Sequence, residues 1–292
     1  MSAAVRAAMA FWPASAPDIT TMAPRLYDMR RPSGGYAPWG LEPHQIDVHD
    51  ARQIPGLSLE SSGFELLKAP STVGDFYDHA AVMETYYLEC RTLAMRLTGA
   101  SHAYTFDHLI REPGRQIAGG GTDGQPVVTG AEAGGGYVGA VHVDYTANTA
   151  WHQYLAVHGE RIPDNVVRTI SLNFWRPVGH VVRDQPLAIC DTRTVAANDL
   201  FETIVFGYGA PNYSWHQLGI EAYNVKHTDA QRWYYYPNMS PQEVLVFKSF
   251  DSRGVIGRAC PHAAFRVPDV VAEQPRRSIE LRVLCFVTAD NN

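Results

Sequence analysis

Positive charge is in short supply in this chain. Its 292 residues carry 24 Lys and Arg against 30 Asp and Glu, a formal net charge of −6. The basic residues form no stripe, so no nucleic-acid partner is expected. Cysteine is also scarce: Cys90, Cys190, Cys260 and Cys285 are the four present, and none stands in a CxxC pair. So few thiols in so long a chain make neither a disulfide framework nor a zinc ribbon, and they suit a reducing, cytoplasmic compartment. No apolar run approaches the length of a membrane-spanning helix. The opening MSAAVRAAMAFWPASAP has a short apolar part broken by Pro13 and reads as an ordered or fraying arm rather than a signal peptide. Internal repeats are absent, and so is a GxxxxGK(S/T) phosphate cradle. The glycines of AGGGTDG and EAGGG, within 118–136, do not lead from a strand into a helix; they read as a mobile loop at a barrel mouth.

Hydrophobic residues make up 46% of the chain and charged residues 18%, enough to bury one sizeable core. Residues 1–70 are rich in Pro, Gly and turn formers and are expected to form an arm packed on that core, with short strands such as QIDVHDAR (45–52). From Ser71, a candidate N-cap, apolar residues recur at three- and four-residue steps through Phe76, Ala80, Met83, Tyr87, Cys90, Leu93 and Leu97, with Gly99 as the stop; this predicts a core-packing helix. After residue 101 the pattern turns to short strands: 102–111, 137–145, 168–178, 186–195, 231–239, 243–252, 262–267 and 278–288, with short helices near 147–158 and 196–206. One leading helix and many strands predict a mainly β chain with flanking helices, built on a double-stranded β-helix of the jelly-roll, cupin-like type. Residues 71–292 form the helix and that catalytic core, one structural domain overall.

Within YVGAVHVDY, His142 and Asp144 are two residues apart, so their side chains share one face of a valine-rich strand. Such a pair offers two ligands of a facial metal triad, and His262, at the start of a late strand, offers a third. Two histidines and one carboxylate leave three adjacent open positions, which suits non-haem Fe(II). A second His-x-Asp, His227-Thr228-Asp229, lies in a polar stretch without strand alternation and reads as a decoy. After His262 thirteen residues intervene (263–275), and then come Arg276, Arg277 and Ser278. Arg276-x-Ser278 puts a guanidinium fork and a hydroxyl on one face, matched to the far carboxylate of 2-oxoglutarate. Arg282 shares that parity and is the alternative anchor.

Other residues stand out around this set. Asn173 and Trp175 share a strand face, with Arg176 on the other. Asn173 and Arg176 are candidates for the cosubstrate, and Trp175 is expected to pack. Lys248, in apolar VLVFKSF, needs a buried partner, which makes it a further cosubstrate candidate. Tyr104, Phe106, His108 and Tyr145 are candidates for the substrate side, with Arg111 beside them. In RWYYYP core packing is the default, and Tyr235 is kept as a candidate wall.

The blocks GLSLESSGFELLKAPS, FDHLIR, VHVDYT, SLNFWRPV, LAICDTRTV, QRWYYYPNMSPQEVLVFKSFDS, PHAAF and PRRSIELRVLCF resemble the hydroxylase/desaturase family, which includes the cephamycin methoxylation component and related fungal and bacterial biosynthetic enzymes. The resemblance runs from about residue 40 to about 287. It implies a mononuclear Fe(II), 2-oxoglutarate-dependent dioxygenase of secondary metabolism, with His142, Asp144 and His262 as iron ligands, Arg276 and Ser278 as the cosubstrate anchor, and O2 as the oxidant. Arg277 departs from the acidic residue expected there. A small-molecule substrate is expected, hydroxylated or desaturated, with a homo-oligomer or a partner biosynthetic protein as candidate assemblies. Two rivals remain open: an iron oxidase or cyclase that works without 2-oxoglutarate, and a non-catalytic accessory binding protein.

Overall fold

In the computed structural model the residues described are 4–15, 25–28, 41–113, 117–118, 126–127, 137–146, 148–149, 162–206, 220–254 and 259–289. In chain order the strands are β1 (Ala4–Phe11), β2 (Arg25–Asp28), β3 (Glu42–Asp50), β4 (Phe64–Lys68), β5 (His102–Arg111), β6 (Ile117–Ala118), β7 (Pro126–Val127), β8 (His142–Val143) and β9 (Val166–Pro177). They continue with β10 (Leu187–Cys190), β11 (Leu200–Phe206), β12 (Ile220–Val225), β13 (Trp233–Tyr235), β14 (Glu243–Asp251), β15 (His262–Ala264) and β16 (Ser278–Thr288). Five of them form one sheet in the order β4-β14-β9-β16-β5, and nine form the other in the order β1-β3-β13-β10-β15-β8-β12-β11-β2. The two sheets face each other across a core that joins Trp175, Leu245, Phe247 and Phe64 of the first to Leu187 and Ile189 of the second. This is a double-stranded β-helix.

The larger sheet curls. Its first strand returns to meet the chain on either side of the central strands: Ala10 bridges Ala140, Trp12 bridges Lys226, and the Val141 amide donates to the Ala10 carbonyl at 2.8 Å. A second core of Met9, Phe11, Val48, Val143, Cys190, Trp233, Tyr235 and Phe265 fills the curl. The stretch 1–70 thus supplies strands to both sheets; β1 in particular was not expected from its composition.

The outer face of the five-stranded sheet is covered by a helix, as the periodicity predicts, but it starts later. A single turn at His79–Ala81 is capped by the Asp78 side chain, a wide turn follows at Val82–Tyr86, and the α-helix runs Tyr87–Thr98 to Gly99 in the left-handed region at φ 68°. Ser71 caps nothing here; its hydroxyl accepts from the Val73 amide, and Thr72 is held by Glu89. Val82, Tyr86, Cys90 and Ala94 pack on Leu172, Phe174, Val246 and Leu281.

The strands at 102–111 and 278–288 match the expected spans, whereas that at 137–145 shortens to His142–Val143. His142 is paired with His262 on one side and Asn224 on the other, and the chain leaves the ladder at Asp144. The expected helix at 196–206 is instead one tight turn, Ala197–Asp199, and then β11, because LFETIVF is rich in β-branched and aromatic residues and pairs with β12. Most of 147–158 and of 118–136 lies outside the described residues.

Gly63 fixes the approach of β4 to the core. Its φ is +87°, and a Cβ there would lie 2.5 Å from Thr192 Cγ2 and 2.6 Å from Cys260 Sγ. Gly63→Ala is therefore expected to lower unfolding free energy by about 2 kcal/mol or more, measured by urea denaturation; a change under about 0.5 kcal/mol would contradict this packing.

Candidate metal and cosubstrate site

His142 and His262 sit opposite each other in the β8–β15 ladder, so both rings project from the same face of the curled sheet. Their centroids are 4.4 Å apart. Asp144, just past β8, brings Oδ1 to 3.2 Å from His142 Nε2 and 3.8 Å from His262 Nε2. One donor atom from each residue falls within 4.8 Å of the others, and this is the one such cluster found among the described residues. Each imidazole is oriented from behind. Nδ1 of His142 donates to the Ala140 carbonyl at 2.8 Å, and Nδ1 of His262 to the Cys260 carbonyl at 3.0 Å. A carbonyl can only accept, so each Nδ1 keeps its proton and each Nε2 offers a lone pair inward. Burial, with His142 beside it, pushes His262 down to about 4, which keeps its ring neutral and able to ligate.

The other carboxylate oxygen is held from the opposite sheet. Asn173 Nδ2 on β9 donates to Asp144 Oδ2 at 2.6 Å, and Arg282 Nε on β16 donates to it at 3.1 Å. Burial alone would raise the Asp144 carboxyl; the Arg282 guanidinium beside it holds it well below the usual carboxylate range. Arg282 also donates to Glu280 Oε1 at 3.0 Å, and Arg111 closes on both oxygens of Glu280 at 2.6 and 2.9 Å.

Arg276 lies at the near end of β16 and is 2% exposed. Its guanidinium carbon is 3.9 Å from the Tyr137 ring centroid and 5.6 Å from that of Trp175, and Nη1 donates to the Gln185 carbonyl at 2.7 Å. No carboxylate meets it among the described residues. Its Nε and the Ser278 hydroxyl are both buried without a hydrogen-bond partner. Two orphaned donors of this kind, one on a cation, are the cradle a carboxylate would fill.

The structure thus brings His142, Asp144 and His262 together, with Asn173 and Arg282 on the carboxylate. Ser278 opens β16, the strand that carries Arg282, and Arg276 stands two residues before it. Arg282 is engaged by Asp144 and Glu280, so of the two arginines only Arg276 keeps open donors. Tyr145 lies under Arg282, at 5.5 Å from its guanidinium carbon. Phe106 and Tyr104 join an apolar cluster with Leu284 and Phe286, on the same face of β16 as Arg282.

Four expected residues lie elsewhere. The Lys248 ammonium goes to Asp251 at 2.7 Å and Glu60 at 3.3 Å, within an ion cluster completed by Arg168. Arg176 faces the helix, donating to the Pro241 and Ala69 carbonyls beside the Tyr86 ring. His108 also faces the helix, between Tyr87 and His79. Tyr235 packs edge-on to Phe265 in the second core. The alternation of β5, β9, β13 and β14 explains all four: each points to the side away from the triad, Lys248 on the face of Val244 and Val246. His227 of the second His-x-Asp stacks on His44 at 4.3 Å, outside the triad. Sequence reasoning missed Tyr137 and Glu280 and assigned Trp175 only to packing. For Glu280 a signal existed, since it shares a strand face with Arg282; for Tyr137, beside a glycine-rich stretch, none did.

The family described as Oxidoreductase/YMDC permease-like domain matches residues 16–286. Among curated proteins the chain is 32% identical over 276 residues to the hydroxylase/desaturase efuI of Hormonema carpetanum, covering 89% of this chain and 90% of that protein. It is 29% identical over 266 residues to the Fe(II)/2-oxoglutarate-dependent dioxygenase nvfI of Aspergillus novofumigatus, covering 88% of each. Among solved structures, one of the iron and alpha-ketoglutarate-dependent endoperoxidase NvfI superposes with a TM-score of 0.79 at 26% identity, covering 99% of each chain.

The buried histidines set a pH dependence. Burial, with His79 beside it, holds His108 down at about 4, as burial holds His262. The unfolded chain binds these protons below about pH 6.5 while the folded chain resists them, so stability present above pH 6.5 is lost as pH falls towards 4. For metal-free protein, the urea midpoint is expected to drop between pH 6.5 and 5, and His108→Gln to drop less; an equal drop would contradict the burial of His108 as its cause.

Proposed function

Because the chain belongs to the family of hydroxylase/desaturases and Fe(II)/2-oxoglutarate-dependent dioxygenases, we propose that His142, Asp144 and His262 hold its iron and that Arg276 with Ser278 anchors 2-oxoglutarate. The chain is an Fe(II)/2-oxoglutarate-dependent oxygenase that hydroxylates or desaturates a small molecule in secondary-metabolite biosynthesis. The observation that carries the site assignment is three neutral-or-anionic donors aimed at one point, beside a buried arginine with open donors.

The donor set fits the metal: two imidazoles and one carboxylate suit Fe(II) and leave three neighbouring positions for a chelating keto acid and O2. When bound, iron supplies the coupled oxidation in which 2-oxoglutarate and O2 give succinate and CO2 while a substrate C–H becomes C–OH, or two hydrogens leave as water to give C=C. The protein's residues do the rest. The Ala140 and Cys260 carbonyls fix both imidazole tautomers. Asn173 and Arg282 keep Asp144 ionised and turn Oδ1 inward. Arg276 presents its fork and Ser278 its hydroxyl to the far carboxylate, and Tyr137 and Trp175 keep the guanidinium flat and dry. Tyr104, Phe106, Leu284 and Phe286 give the substrate side an apolar wall. Among the described residues no helix is long and apolar enough to cross a membrane, and four free, buried cysteines support a cytoplasmic setting.

The test is succinate formation from 2-oxoglutarate by the purified, Fe(II)-loaded protein. The wild type is expected to form succinate even without substrate, slowly, and His142→Ala to form none. Arg276→Ala removes a charge-assisted pair and should raise the 2-oxoglutarate needed for half-maximal rate by about 100-fold. An unchanged requirement would move the anchor elsewhere.

A further inference from the structure

The geometry points to Glu280 as a positioning residue that decides how much of Asp144 is left for the metal. The inference rests on the iron-site reading above and deepens it.

Four side chains form a buried ladder of alternating charge, Arg111, Glu280, Arg282 and Asp144, which crosses from the edge strand β5 through β16 to the triad carboxylate. Glu280 is grasped by Arg111 through two hydrogen bonds and still accepts from Arg282 Nη2 at 3.0 Å. Burial would raise its carboxyl, but Arg111 and Arg282 hold it down as an anion. Arg282 therefore spends its Nη2 on Glu280 and meets Asp144 through Nε alone, at 3.1 Å and on Oδ2 only. A guanidinium prefers to close on both oxygens of a carboxylate. The Tyr145 ring lies under Arg282 and limits its tilt.

Without the Glu280 charge, two changes follow at the triad. Arg282 can turn its fork onto both oxygens of Asp144, competing with a metal for Oδ1. The ladder also gains one net positive charge beside the place a dication binds. Both act against the metal. Glu280 does neither chemistry nor ligation itself; it acts by keeping Arg282 off Oδ1. Residues that orient ligands from behind commonly change metal affinity by about 10- to 100-fold.

The test is calorimetric titration of the metal-free protein with Co(II), an air-stable stand-in for Fe(II), well below the melting temperature of each variant. Glu280→Gln keeps the shape and removes the charge; about tenfold weaker Co(II) binding is expected. The double variant Glu280→Gln with Arg282→Gln removes the group that Glu280 restrains and leaves Asn173 alone to orient Asp144, so its affinity should stay below wild type yet recover by about threefold or more over Glu280→Gln. A purely structural role would lower melting temperature without that recovery. Unchanged binding by Glu280→Gln overturns the inference, as does a loss the double variant fails to lessen. If Glu280→Gln does not fold, Glu280→Asp, too short to serve both arginines, is expected to show a smaller loss in the same direction, and wild-type affinity there overturns the inference equally. Absence of Co(II) binding by the wild type would instead overturn the iron-site reading.

Discussion

The site depends on one cross-sheet restraint: the Asp144 carboxylate follows a strand of the nine-stranded sheet but is held from the five-stranded one. His142 and His262 are fixed within a single ladder, each ring tied to a carbonyl two residues upstream. Asp144 has no such support, because the chain has already left β8. Its orientation comes from Asn173 and Arg282, across the sandwich. The three donors converge only while the two sheets keep their spacing, so the core of Trp175, Phe247, Leu187 and Ile189 is part of the site's machinery.

The buried charges divide into two kinds, and the division separates scaffold from site. Arg168 and Lys248 are saturated by Asp251 and Glu60, and Asp251 is driven down to about 2 although burial opposes it. That cluster closes on itself. Arg276 does not: burial pushes it down to about 10, it stacks between two rings, and Nε finds no acceptor. A buried cation without a counterion is costly unless a ligand supplies one. An anionic cosubstrate fits that deficit, whereas Lys248 has nothing left to offer.

Much of this was legible in the sequence, for definite reasons. Period-two alternation located β5, β9, β14 and β16, and it put His142 and Asp144 on one face before any fold was known. It also put Asn173 and Trp175 together, yet could not say which face was inward; Trp175 proves to face Arg276, and Arg176 the helix. Composition misread the first strand, since AVRAAMAF lacks β-branched weight and gains its place from pairing with β3 and from meeting Ala140. The start of the helix was misplaced because Ser71 and Asp78 are both good caps, and only the Thr72–Glu89 contact decides between them. Of the two partners of Lys248, Asp251 lies only three residues on, whereas Glu60 comes from a loop 188 residues away, a closure that no local pattern records.

The most direct measurement is optical and anaerobic. Fe(II) is added to the metal-free protein, then 2-oxoglutarate, and the visible spectrum is recorded. The account predicts a weak metal-to-ligand charge-transfer band that appears only with both present, vanishes in His142→Ala and needs far more 2-oxoglutarate in Arg276→Ala. Tight iron binding with no such band would contradict the claim that three open positions and a vacant arginine form one cosubstrate site.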